Sequence, residues 1–219
     1  METINQLKKI LEAHELWVTG DKEGVRADLS NKNLSHANLS HANLFDADLS
    51  KANLSGANLT KANLFKANLS YANLSHAYLF DADLSQAKLT NSYLFDADLS
   101  NSYLFDANLS KANLTRVNFT EANLSGANLK KANYSIINIL RANWNNISDK
   151  LTLELMRWDA ISCGAEAMNK WAKGGKCPFS DIERDFYFSE QHRLWRPGKP
   201  KMNHKQLFQA LAKESEITI

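Results

Sequence analysis

The chain has 219 residues, 44% of them hydrophobic and 23% charged, and a net charge of +2. That length suits one or two globular domains with a buried core. The balanced charge implies no global attraction to nucleic acid or to an acidic membrane face. Eight Gly and three Pro exclude a collagen-like or disordered composition, and two cysteines, Cys163 and Cys177, cannot build a disulfide scaffold.

No stretch approaches the roughly 18 apolar residues of a membrane span. The apolar N-terminal residues are interrupted by Lys8, Lys9, Glu12 and Glu15, so no signal peptide is expected either. A reducing cytoplasm is the expected location. Residues 3–18 read as an amphipathic helix, with Thr3 and Gln6 as a capping box. Ile4, Leu7, Leu11 and Val18 lie along one side, and Gly20 stops the helix.

From Leu29 to Leu129 a Leu recurs every five residues, with Phe119 the one replacement; Tyr134, Ile139 and Trp144 continue the series. Two residues before the centre stands Ala, except at Lys32, Ser92, Ser102, Val117 and Ile137. One residue before it stands Asn or Asp in most units, and the residue after is mostly Ser or Thr, sometimes Phe. On a helix, five residues advance about 500°, which scatters the Leu around the cylinder. On a flat strand an odd spacing alternates them between faces. The chain must therefore turn once per unit, so that every Leu faces one interior. Centre and centre-minus-two then point inward, and the fifth residue sits at a corner. Ala beside Leu fits a narrow interior that a second bulky residue would overpack. Asn and Asp suit turn-adjacent backbone and stack in ladders between coils.

These Ala-Asn-Leu-Ser-Xaa and Ala-Asp-Leu-Ser-Xaa tandems, over residues 27–146, resemble the pentapeptide repeat family. The resemblance implies a right-handed quadrilateral β-helix, an all-β solenoid with four units per coil. The units then make about six coils, a rod roughly 29 Å long at about 4.8 Å per coil. The expected division is 1–20 for an N-terminal capping helix, 21–147 for the β-helix and 148–219 for a small, mostly helical C-terminal extension.

A solenoid has two open ends that must be covered. The N-terminal helix is expected to plug one. Lys32, an inward-position Lys near that end, is expected to snorkel outward. At the other end the larger Ile136, Ile137, Ile139, Leu140, Trp144 and Ile147 suit closure of the tube. Ser148 reads as the N-cap of a helix to about Ser162, and a last helix is expected over about 203–214. Trp171 to Pro178 is similar to a stretch that follows the repeats in bacterial members of the family, with no activity attached.

The sequence carries no nucleophile elbow, phosphate loop, His-Glu-Xaa-Xaa-His or paired-Cys motif. No catalytic, cofactor-binding or metal-ligating residue is assigned, and no enzyme is expected. His36 and His76 share an edge but lie about two coils apart, too far for one metal ion. The spacing of Cys163, Cys177, His192 and His204 matches no zinc family, so buried, inert thiols are expected.

Surface remains. In this register Phe45, Phe65 and Phe105 share a face, while Phe80 and Phe95 lie on two others. Tyr78/Phe80, Tyr93/Phe95 and Tyr103/Phe105 form outward Tyr-Leu-Phe units; with Trp195 they are the candidate partner-binding surface. The competing reading is that they pack as ladders that stabilise the rod. Asp81, Asp83, Asp96, Asp98 and Asp106 gather in the middle coils, and Arg193, Arg196, Lys199, Lys201, Lys205 and Lys213 in the tail. The expected function is a non-enzymatic scaffold or interaction module for an unidentified protein, with the extension offering a surface for a homodimer. The alternative implied by the resemblance is a DNA-mimicking binder of gyrase or topoisomerase IV, of the quinolone-resistance type. Such mimics are strongly acidic rods, and here basic and acidic residues of the repeats nearly balance.

Overall fold

The repeat closes into a square tube because each unit spends one residue on a left-handed corner. The computed structural model describes residues 2–140, 142–144, 147–163, 166, 194 and 198–219. The residue before each centre pairs in parallel with the residue 20 positions on, from Asp28↔Asp48 to Asn123↔Asn143. Twenty residues are four units, so the tube has four faces. Each Leu centre from Leu29 to Leu129 is at most 7% exposed, and the Ala positions from Ala47 to Ala127 are equally buried.

The unit around Leu69 shows why five residues suffice. Ala67 N–H closes the preceding turn on Leu64 O (2.9 Å), and Asn68 N–H reaches back one coil to Ala47 O (2.9 Å). Leu69 N–H reaches forward to Lys88 O (2.7 Å), and the corner Tyr71 N–H to Thr90 O (3.0 Å). The fifth donor, Ser70 N–H, is taken by the Asn68 side chain at 3.2 Å. All five amides are paired, which answers the full accounting that buried backbone demands. The same Asn side chains bond between coils, as Asn68 Nδ2 to Asp48 Oδ1 (3.1 Å) and Asn63 Nδ2 to Asn43 Oδ1 (3.1 Å). Corner residues from Asn31 to Lys131 all take positive φ, 54–62° where they are not Gly. Each such residue costs about 1–2 kcal/mol; the corner's forward amide bond offsets it.

The series breaks at its last-but-one unit. Asn118 has no bridge partner at 138; instead α2 (Ile136–Ile139) forms, while Asn113–Leu114 (β1) and Asn133–Tyr134 (β2) pair just before it. The sequence reading carried the regular series through Ile139. A β-branched Ile136 at the corner position resists positive φ, and a helical turn replaces the corner.

Both ends are covered by helices. Along α1 (Glu2–Val18), Leu7, Ile10 and Leu11 pack on the core. The side chains of Thr3 and Ile4, named above for the cap and the apolar side, lie outside the described residues. Lys32 is exposed, as its place near the open end suggests. His14, within α1, is fully buried; its Nδ1 accepts from Ala27 N–H at 3.0 Å, and it stacks on Trp17. Val25 N–H to Ala13 O (2.9 Å) fastens the helix to the start of the tube.

At the far end stand α3 (Asp149–Cys163) and α4 (His204–Glu214). A reciprocal capping box of Asn203 and Gln206 starts α4. Ser148 N–H and Oγ both donate to the Glu214 carboxylate, at 2.5 and 2.8 Å. Glu154 is buried in α3, which pushes its carboxyl up, yet the Lys201 amide, the Arg157 guanidinium and the Met202 amide together hold it below the ordinary range.

The last helix ends near 214 as its apolar spacing predicts, but the residues after it, to which the sequence assigns no structure, do more than trail away. Ser215–Ile219 rejoins the tube as a displaced unit. Thr218 pairs in parallel with Asn128, donating to Ala127 O (2.9 Å) and accepting from Leu129 N–H (2.6 Å). Gly126 N–H bonds Ser215 O (3.0 Å), Glu216 takes the corner with φ 58°, and Ile217 is buried at the Ala position. Ser-Glu-Ile-Thr-Ile thus matches Ser125-Gly126-Ala127-Asn128-Leu129 place for place.

Two outcomes follow from the ends. Ile217→Ala lowers unfolding free energy by about 2 kcal/mol, whereas Ile219→Ala, at a 48% exposed position, changes it by under about 0.5 kcal/mol; chemical denaturation compares them. Burial holds the His14 imidazole below its ordinary value of 6.5. Below that pH the unfolded chain takes up a proton that folded His14 refuses, so stability falls as pH drops from 6.5 towards the folded value. Melting curves across this window should show a smaller fall in His14→Gln.

Candidate docking surface

Three of the four faces each carry one Tyr-Leu-Phe unit. Tyr93 stands in the ladder Asn53–Asn73–Tyr93–Asn113, Tyr78 in Asn38–Asn58–Tyr78–Asp98, and Tyr103 in Asn63–Asp83–Tyr103–Asn123. The fourth face, with Asp28, Asp48, Asn68, Lys88 and Asn108, has no aromatic in its ladder. Phe95 ends one face where the face of Tyr78 begins, and Phe80 ends that face where the face of Tyr103 begins. In the order Tyr93, Phe95, Tyr78, Phe80, Tyr103, Phe105, the six side chains form one band around the waist of the rod. Five are exposed and Phe95 is half-buried. Trp195, the remaining candidate, lies outside the described residues.

The band breaks the hydrogen-bond rule of the fold. From Asp28 to Asn128, every unit with Asn or Asp before its centre gives the following amide a side-chain acceptor, as Asp83 does for Ser85 (2.9 Å) and Asn108 for Ser110 (3.1 Å). Tyr78, Tyr93, Tyr103 and Lys88 supply none. Among the described residues, the Phe80, Phe95 and Phe105 amides therefore find no acceptor. Ser92 and Ser102, at inward positions in two of these units, satisfy their hydroxyls on Leu89 O and Leu99 O, both at 2.6 Å.

Stacking explains some aromatics and not others. Phe45 and Phe65 stack at 5.9 Å, and Trp17 of α1 meets Phe45 at 6.2 Å. These belong to the rod and its cap. Phe95 meets His76 edge-on at 5.5 Å and lies under Arg116. Among the described residues, no ring or cation contacts Phe80, Phe105 or the three tyrosines.

Three tyrosines wall two shallow grooves on opposite faces. One, of about 320 Å³, is lined by Lys61, Asn63, Asp81, Asp83, Ser85 and Tyr103. The other, of about 410 Å³, is lined by Lys51, Asn53, Tyr71, Asn73, Ser75 and Tyr93. Tyr71 escaped the sequence reading; its signal was an aromatic ring at a corner position. Among the described residues no His, Cys, Asp and Glu cluster could hold a metal ion, and no helix is long and apolar enough to cross a membrane. Cys177, His192 and the side chain of Cys163 lie outside the described residues.

If the band exists for contact and not for the rod, its removal spares the fold. Tyr103→Asn with Phe105→Ser melts at or above wild type. The new Asn supplies the missing acceptor, a gain of about 0.5–1.5 kcal/mol. A large drop in melting temperature would instead assign these rings to the rod.

The pentapeptide repeats family model matches in eight copies, over residues 25–60, 57–96 and 97–133. A pentapeptide repeat protein from the Arabidopsis thaliana thylakoid lumen is 32% identical, over 48% of this chain and 69% of its own, with a TM-score of 0.37. The pentapeptide repeat protein Rfr23 from the cyanobacterium Cyanothece 51142 is 28% identical, over 54% and 88%, with a TM-score of 0.42. The plasmid-mediated fluoroquinolone resistance protein QnrB1 is 15% identical, over 54% and 78%, with a TM-score of 0.34. No curated protein matches. The uninterrupted five-residue register, its 20-residue pairing and the eight matched copies place this chain in the pentapeptide repeat family, whose members fold as right-handed quadrilateral β-helices.

Proposed function

We propose that this protein is a non-catalytic interaction module: a rigid rod that presents its Tyr-Leu-Phe band to a protein partner. One observation carries the reading. The three units that expose Tyr are units that give up the side-chain bond made by every Asn and Asp unit around them. A local rule broken without structural gain marks function. Exposed Tyr and Phe are also the residues that anchor protein interfaces. The helices at both ends support a rod that works by its sides. The gyrase-mimic alternative finds no support in the surface, where Lys61 pairs with Asp81 and Arg116 with Asp96 in place of a continuous acidic face.

The test uses the full chain as bait for proteins of a bacterial lysate, beside a variant with Tyr78→Asn, Tyr93→Asn and Tyr103→Asn. The variant keeps or raises its melting temperature and loses the proteins that wild type retains. An unchanged set of captured proteins sinks the band as the docking surface. Purified gyrase supercoils normally in the presence of the protein; inhibition that fades as salt rises would put DNA mimicry in its place.

A further inference from the structure

The structure contains its own example of what the band holds. Arg116 lies one coil above Phe95-Asp96 on the same corner. Its guanidinium carbon is 5.6 Å from the Phe95 ring centre, and its Nε is 3.1 Å from Asp96 Oδ1. Arg26 approaches Asp46, beside Phe45, from the other direction; its Nε donates to Asp46 O at 2.6 Å and lies 3.7 Å from the carboxylate. The Phe95-Asp96 corner is thus a guanidinium seat, in which the ring face attracts the cation and the carboxylate pairs with its Nε; at Phe45-Asp46 the arginine meets the Asp alone.

The hexapeptide Asn91-Ser92-Tyr93-Leu94-Phe95-Asp96 recurs unchanged as Asn101-Ser102-Tyr103-Leu104-Phe105-Asp106. The second copy differs in what lies below and above it: His76 Nδ1 lies 3.2 Å from Asp96 Oδ2 one coil below the first, where Gln86 stands below the second. Where Arg116 covers the first, Gly126 stands over the second, and the Asp106 carboxylate leans into the space a side chain at 126 would fill. Phe105 is 46% exposed, whereas Phe95 is half-buried under its arginine. Among the described residues Asp106 has no cationic partner. Glu216, on the same corner in the displaced C-terminal unit, adds a second negative charge about 10 Å away. Asp83 and Tyr103 continue the surface along the neighbouring groove.

We propose that Phe105 and Asp106 form a docking seat for an arginine side chain of a partner polypeptide, with the guanidinium on the Phe105 ring and paired to Asp106. This rests on the interaction-module reading and names the chemistry of its partner. Arginine is favoured over lysine because its planar guanidinium stacks on a ring while donating sideways, which a compact ammonium cannot do.

The experiment titrates the full chain with a capped Gly-Gly-Arg-Gly-Gly peptide and with its lysine and citrulline counterparts, read by backbone amide NMR shifts. The arginine peptide shifts the amides of Phe105 and Asp106. Lysine binds at least five-fold more weakly, and citrulline leaves these amides unmoved. Gly126→Arg supplies the guanidinium from within and lowers peptide affinity at least ten-fold; Asp106→Asn does the same without adding bulk. Arg116→Gly with His76→Gln opens the twin seat, so the Phe95 and Asp96 amides then shift as well. Equal affinity for arginine and lysine, or full binding to Asp106→Asn, overturns the proposal. So do shifts at the same amides on raising protein concentration without peptide, which would make a second copy of this chain the occupant. If the peptide fails while the Tyr variants still lose their captured proteins, the band stands and the arginine seat falls. If both fail, the interaction reading falls with it.

Discussion

The whole architecture depends on pairing five amides in five residues. Two go to the coils above and below, one closes the turn, one leaves the corner for the next coil, and the last is taken by the Asn or Asp side chain two residues back. No helix or flat sheet does this at such a short period. The geometry in turn requires a left-handed corner, and corners such as Lys51, Tyr71, Arg116 and Glu121 accept it without being Gly. Their conformational cost is borne because each unit is held by the next. An isolated coil lacks the forward and backward bonds, so stability accrues through stacking.

Stacking leaves two unpaired ends, and the two solutions differ. At the N-terminal end a helix lays Leu7, Ile10 and Leu11 on the open core and buries His14 against the first amide of the tube, Ala27 N–H. At the C-terminal end the tube is closed partly by its own motif. Ser215–Ile219 comes back after α4 to take the place of the next unit, so Leu129 and Gly126 find the carbonyls that an uninterrupted repeat would have offered. Phe208 and Trp144, with ring centres 6.2 Å apart, and buried Leu207 and Leu211 fill the interior beneath α4.

Against so regular a background, departures carry information. The Asn-to-Tyr changes at 78, 93 and 103 remove a bond and add exposed apolar surface, a loss on both counts for an isolated rod. Phe45 and Phe65 look the same in sequence but stack together and under Trp17, so they belong to the rod. Gly126 over and Gln86 under Asp106, against Arg116 over and His76 under Asp96, turn an internally satisfied corner into an outward one.

The sequence by itself determined the period, the inward Leu and Ala, the corner position and the face on which each aromatic falls, because a five-residue register leaves the chain no other way to bury Leu29 through Leu129. It also marked the helices near both ends through their apolar spacing and caps. It did not show that Ile136 would convert a corner into α2, since that follows from steric conflict at a left-handed φ. Nor did it separate Phe45 from Phe105, because whether a ring is stacked depends on what the coil above and the capping helix bring to it. The return of Ser215–Ile219 was readable only as five ordinary residues. Their role was decided by tertiary structure, where the last coil offers unpaired amides at Gly126 and Leu129, and a segment about ninety residues further along the chain is the one placed to meet them.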